Sequence, residues 1–207
     1  MREVDRAEQI LTEALKLSRR LGDEKGAARA LGNLGEVARW RGDLEAAEAG
    51  YEQALQIHRR VGWRQLAANN LLNLGLVGRQ RANRARAVRH YRDALAEAQA
   101  LEDRETVAYA LAGLAGMSGE AGDFQRAARL LGAVEALLET IGAALEHSER
   151  ELADADTVAA RTALGEERFA AAWEAGRALT WEAAVTEALV TVGSPADGRT
   201  DRGGGTG

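Results

Sequence analysis

Cysteine is absent from the 207 residues, which excludes disulfides, thiolate zinc sites and cysteine nucleophiles. The absence agrees with a reducing compartment. Proline occurs once, at Pro195, and aromatic residues make up 4% of the chain. With proline and β-branched residues scarce beside Ala, Leu, Glu and Arg, helices go unbroken and strands are disfavoured. No run approaches the roughly 18 apolar residues a membrane helix needs, and the opening MREVDRAEQI has no signal-peptide core. A cytoplasmic chain is expected. An excess of base is missing too: the net charge is −5, and phosphate binding rests on surplus Lys and Arg, so direct contact with nucleic acid is not expected. What is present is 46% apolar residues, enough for a core, in an all-α chain.

The stretch LGNLGEVARWRGD at 31–43 returns at 71–83 as LLNLGLVGRQRAN and at 111–123 as LAGLAGMSGEAGD. Leu34, Leu74 and Leu114 align, then Gly35, Gly75 and Ala115, then Ala47, Ala87 and Ala127, then Tyr51, Tyr91 and Leu131, then Ala54, Ala94 and Val134. The triplets LGD, VGW, LED and IGA, beginning at Leu21, Val61, Leu101 and Ile141, close the units. Each unit reads as two helices turning at Gly42-Asp43 or its equivalent, where glycine relaxes the backbone and Asp or Asn caps the next helix. Small residues recur because helices approach closely only where no bulky side chain separates them.

Leu34-Gly35, Gly42, Ala47, Tyr51 and Ala54, followed by Leu74-Gly75, Ala87, Tyr91 and Ala94, resemble the tetratricopeptide repeat. The period is forty rather than the usual 34 or so, and the proline that often ends the second helix is replaced by Arg59, Gln99 and Glu139. Longer helices, as in the extended repeats of kinesin light chains and some bacterial regulators, account for both departures. The resemblance implies a right-handed α-solenoid of antiparallel helix pairs over residues 1–143. It comprises a lone helix at 1–20 and full units at about 21–61, 62–101 and 102–143. Residues 1–20 match only the second half of a unit. Either Met1 begins a chain whose first helix is a cap, or the chain is the C-terminal part of something longer; Ile10, Leu11 and Leu15, poised to pack on a neighbour, favour the second.

From residue 144 the period fails while helix signals continue, which predicts a small helical cap over 144–191. Ser148 is the expected cap of one helix and Gly165 its stop, Phe169 and Trp173 pair at i,i+4, and Thr180 caps a last helix carrying Trp181, Val185 and Leu189 on one face. These helices should fold back on the inner face of the last repeat and leave an open groove over Asn33 and Asn73. The Gly-rich stretch 192–207 is expected to be disordered. RAARLLGAVEALLETIG, leading into ALGEERFAAAWEAGRALTWEAAVTEAL, resembles the C-terminal end of bacterial LuxR-type and signal-transduction ATPase regulators. The P-loop ATPase and helix-turn-helix modules of that family have no counterpart here, so ATP and DNA would belong to other chains or to a longer parent.

In a solenoid of this kind partners bind the inner face, formed by the first helix of each pair. The register places Arg29, Asn33, Glu36 and Trp40 there in the first unit, and Asn69, Asn73, Leu76 and Gln80 in the second. Tyr109, Gly113, Gly116 and Glu120 follow in the third. Each asparagine offers a donor and an acceptor, so Asn33 and Asn73 could hold an extended peptide backbone, or could instead brace neighbouring helices. Trp40 and Tyr109 read as partner anchors or as packing between repeats. Arg79, Arg81, Arg84, Arg86, Arg89 and Arg92 form a run without acids, read as a solvated face, with an acidic protein surface or nucleic acid as alternatives. Catalysis and metal binding find no support, since His58, His90 and His147 lie singly and without ligand spacing. The expectation is a non-catalytic protein- or peptide-binding scaffold with no cofactor, serving a signalling ATPase or LuxR-type transcriptional regulator. A stand-alone adaptor is the alternative and a nucleic-acid-associated regulator the third reading; self-association through the terminal helices is a further possibility.

Overall fold

A computed structural model describes residues 2–190 as ten α-helices. They are α1 (Arg2–Leu21), α2 (Glu24–Trp40), α3 (Leu44–Arg60), α4 (Arg64–Gln80), α5 (Arg84–Ala100), α6 (Arg104–Glu120), α7 (Phe124–Ile141), α8 (His147–Leu164), α9 (Glu166–Arg177) and α10 (Trp181–Leu189). From α1 to α7 each helix packs on the next, giving a helical solenoid without strands among the described residues. The expected tail, 192–207, lies outside them.

The period of forty is two identical halves. Helices α2 to α6 each have 17 residues and are separated by three-residue turns. The middle residue of each turn is left-handed, at Gly42 (φ 79°), Gly62 (76°) and Gly122 (85°), and also at Ala82 and Glu102 (both 55°). The turns close with backbone bonds that cap the outgoing helix, as from Asp43 N–H to the Ala38 carbonyl at 2.9 Å and from Asn83 N–H to that of Gly78 at 2.9 Å. The third residue then caps the incoming helix. Asp23, Asp43, Asn83, Asp103 and Asp123 each accept the N–H three residues on, and Trp63 alone in this series makes no such bond.

Packing follows the small residues. Tyr51, Ala47, Ala87, Ala94, Leu95 and Leu111 are fully buried in a core that runs through α3 to α7 and takes in α10. A Cβ on Gly78 would stand 2.9 Å from the Ala87 nitrogen, so α4 and α5 meet backbone to backbone there. The Tyr91 ring is held between two glycines: a Cβ on Gly75 would lie 2.6 Å from it, and one on Gly113 2.5 Å.

The C-terminal helices return to the stack. α8 packs on α6 and α7, α9 on α7, and α10 on α5, α6 and α7. Phe169 and Ala160 are buried against Ala127 and Ala128, and the Phe169 and Trp173 rings lie 5.3 Å apart. Thr180 caps α10 by accepting from Ala183, and Gly165 stops α8, as the sequence indicates. Ser148 is not a cap. It lies inside α8, which begins at His147, and its hydroxyl donates to Glu149 at 2.7 Å.

The arginine run is only partly a solvated face: Arg81, Arg84 and Arg89 are exposed, while Arg79, Arg86 and Arg92 are half-buried. Arg81 and Arg86 are paired with Glu48, and Arg86 also with Glu52, all reaching from α5 and its preceding turn to α3. Arg84 donates to the Met117 carbonyl, and Arg92 to that of Leu189. Arg126 adds bonds to the Glu187 and Ala188 carbonyls at 3.0 and 2.9 Å, so arginines satisfy the carbonyls left open at the end of α10. The run reads as surface in sequence because charge normally is surface. Here the solenoid brings carboxylates and helix ends within reach of it.

Candidate functional site

Three stripes at helical spacing converge on a cleft of about 310 Å³. From α4 come Gln65, Asn69, Leu72, Leu76 and Arg79, at three- and four-residue steps that keep one face turned inward, with Asn73 beside Leu72 four residues after Asn69. The opposite wall is α6, with Glu105, Thr106, Tyr109, Ala112 and Gly113, preceded by Asp103. Glu149, Leu152, Ala153 and Asp156 of α8, with Glu146 just before it, form the third side, and Tyr91 of α5 reaches in at the base.

One ion-pair cluster holds the walls together. Arg79 donates to both carboxylate oxygens of Asp156 at 2.6 and 2.9 Å and to Glu120 at 2.7 Å, tying α4 to α8 and α6. Gly113 leaves the room that the Tyr91 ring occupies, and Gly116 leaves room for this pair, since a Cβ there would lie 2.5 Å from Asp156 Oδ2. Tyr109 accepts the Glu146 backbone N–H at 2.9 Å, which pins the approach to α8. Asp103 is occupied as a helix cap, accepting from the Thr106 N–H and hydroxyl at 3.1 and 2.8 Å.

Of the residues read onto the inner face, Asn69, Asn73, Leu76 and Tyr109 line this cleft together. Arg29, Asn33, Trp40 and Gln80 are exposed and lie outside it. Trp40, at 69% exposure, is no packing residue between repeats. Glu36 is taken up internally, by Arg39 and by the Tyr51 hydroxyl at 2.6 Å. Burial alone would raise the Glu36 carboxyl, but those hydrogen bonds outweigh it and hold it below the ordinary carboxylate value. Asn33 is not among the residues that line this cleft, to which α2 contributes nothing.

Tyr91, Asp156 and Glu149 are site residues that sequence reasoning missed. Tyr91 occupies a conventional packing position of the repeat; only the glycines beside it turn its ring into a cleft wall. Asp156 and Glu149 lie beyond the repeat register, although their three- and four-residue spacing with Leu152 and Ala153 is legible as a stripe. Another missed residue is Asn70, buried beside Asn69 and bonded to the His58 ring at 2.9 Å and to the Leu66 carbonyl at 2.7 Å.

Among the described residues no group of three or more His, Asp or Glu could hold a metal, and no helix is long and apolar enough to cross a membrane. No curated protein matches the chain. The tetratricopeptide repeat model matches residues 1–60 and 26–100. Over residues 1–100 the chain is therefore similar to the tetratricopeptide repeat, and α6 and α7 follow as one more helix pair of the solenoid.

Proposed function

We propose that the protein is a non-catalytic scaffold that binds a protein or peptide segment along the inner face of its repeats, with residues 144–191 closing the end of that face. The observation that carries this reading is the cleft between α4, α6 and α8, where the Asn69 and Asn73 amides face open space and make no hydrogen bond with any described residue. Unpaired amides beside apolar Leu72 and Leu76 suit an extended backbone, which needs donors and acceptors at once. Arg29, Asn33, Glu36, Trp40 and Gln80 continue the face toward the N-terminal end. The resemblance of the C-terminal helices favours service to a bacterial signalling ATPase or LuxR-type regulator, with a stand-alone adaptor as the alternative. The intramolecular partners of the arginine run weigh against a role in nucleic-acid binding.

A photo-cross-linking residue at position 73 tests this in cells producing the chain. It should label one recurring protein segment, and a synthetic peptide of that segment should compete. The same residue at Gln99, on the exposed end of α5, should not label it. Labelling from position 99 alone, or retention on DNA that disappears with salt, would overturn the reading.

A further inference from the structure

The cleft is chemically one-sided. Asp103, Glu105, Glu146, Glu149 and Asp156 line it against a single arginine. Arg79 is itself held by Asp156 and Glu120, so it offers little positive charge to a ligand. Glu105, Glu146 and Glu149 have no basic partner among the described residues, and their carboxylates edge the opening. Acidic residues alone would describe any solvated rim. Tyr91 distinguishes this one: it is 5% exposed, it reaches the cleft, and its hydroxyl has no hydrogen-bond partner among the described residues. Its ring is almost wholly buried, so what remains open is the hydroxyl, which looks into the cleft with no partner among the described residues and is left to bond whatever enters. Leu72, Leu76, Ala112 and Ala153 supply apolar wall to the same cleft.

This arrangement matches an amphipathic cation. The methylene stem of a lysine or arginine would lie on the leucine and alanine wall, with its N–H donors meeting Tyr91 Oη and the carboxylates. An anionic side chain would meet the carboxylates of Glu105, Glu146 and Glu149, which have no basic partner among the described residues, and a purely apolar one would leave the tyrosine hydroxyl unsatisfied. Resting on the reading of the inner face as a peptide-binding surface, we infer that the α4–α6–α8 cleft is a specificity pocket for a lysine or arginine side chain, so that the segment bound is basic.

The chain's three tyrosines make the test direct. Tyr91 and Tyr109 line the cleft, whereas Tyr51 is fully buried against Glu36 and serves as an internal control. Tyrosine-labelled full-length protein is titrated with glycine–serine nonapeptides carrying a central lysine, arginine, norleucine or glutamate. Lysine or arginine peptides should shift the Tyr91 and Tyr109 resonances, leave Tyr51 in place, and bind at least about tenfold tighter than the norleucine peptide. Glu105→Gln with Glu149→Gln should abolish that advantage, and Tyr91→Phe should reduce it with Tyr51 unmoved.

Equal binding of the norleucine or glutamate peptides would overturn the charge selectivity and leave peptide binding standing. Butylammonium or ethylguanidinium binding as tightly as the peptides would overturn the assignment to a peptide segment. If no peptide shifts either tyrosine while position 73 still cross-links its competed partner, the pocket inference alone fails. If both experiments are silent, the binding-scaffold reading fails with it.

Discussion

Asp156 of α8 and Arg79 of α4 form a two-pronged ion pair across 77 residues of sequence, with both side chains only 13% exposed. Breaking such a pair on one side leaves a charge poorly hydrated, while Glu120 still compensates part of it. Asp156→Ala should therefore cost at most about 3 kcal/mol. It should also raise hydrogen exchange in α8 well before that in α1 to α3. Unchanged exchange in α8 would mean that the apolar contacts alone dock this helix.

Ala87 is fully buried at the closest approach of α4 and α5, where Gly78 has no room even for a Cβ. Ala87→Leu should overpack the contact and cost roughly 1–3 kcal/mol. Ala85, exposed on the same helix, is the control, and Ala85→Leu should stay within about 0.5 kcal/mol. Arg86 would be a poor control, since it is paired with Glu48 and Glu52. Equal losses on thermal melting would sink the register.

Two turns hold a non-glycine residue in the left-handed region, Ala82 and Glu102 at φ 55°. Each has the strain that glycine relieves at the equivalent Gly42 and Gly122, offset by glycine's larger entropy when unfolded. Ala82→Gly and Glu102→Gly should each stabilise by roughly 0.5–1 kcal/mol, whereas Gly42→Ala should destabilise by a similar amount. A lower melting temperature for both glycine variants would contradict the turn geometry.

Burial lowers the His58 and His90 imidazoles below the ordinary histidine value; at His90, Arg89 and Arg86 push the same way against Asp93 and Glu48. Both ring nitrogens of His90 are buried without a hydrogen-bond partner. Below its own pKa of about 6.5 the unfolded chain binds protons that the folded chain refuses. The stability present above that value is thus lost as the pH falls toward the depressed folded values. The melting temperature should drop between about pH 7.5 and about pH 5.5, and His90→Leu should flatten the decline. The in-register residue of α7 is the buried Leu130, so the change fits the stack. An identical slope in the variant would place the pH sensitivity elsewhere.

Local chemistry determined the helix pairs, the turns and their caps. From Gly22 to Gly122 a left-handed residue recurs every twenty residues, followed by Asp or Asn at every turn but Gly62-Trp63, and it dictates where each helix stops and the next starts. The inner-face stripe of α4 was legible for the same reason, since Asn69, Asn73 and Leu76 follow from the helical period. What the sequence could not decide was which stripes meet. Asn33 and Asn73 occupy equivalent places in the repeat, yet only Asn73 lines the cleft, because α8 comes to lie beside α4 and α6 and not beside α2. Arg79 and Arg92 belong to one run of arginines. Tertiary packing assigns the first to Asp156 and the second to the end of α10, since an ion pair or a bond to a helix end requires approach within about 3 Å, which spacing along one chain does not encode.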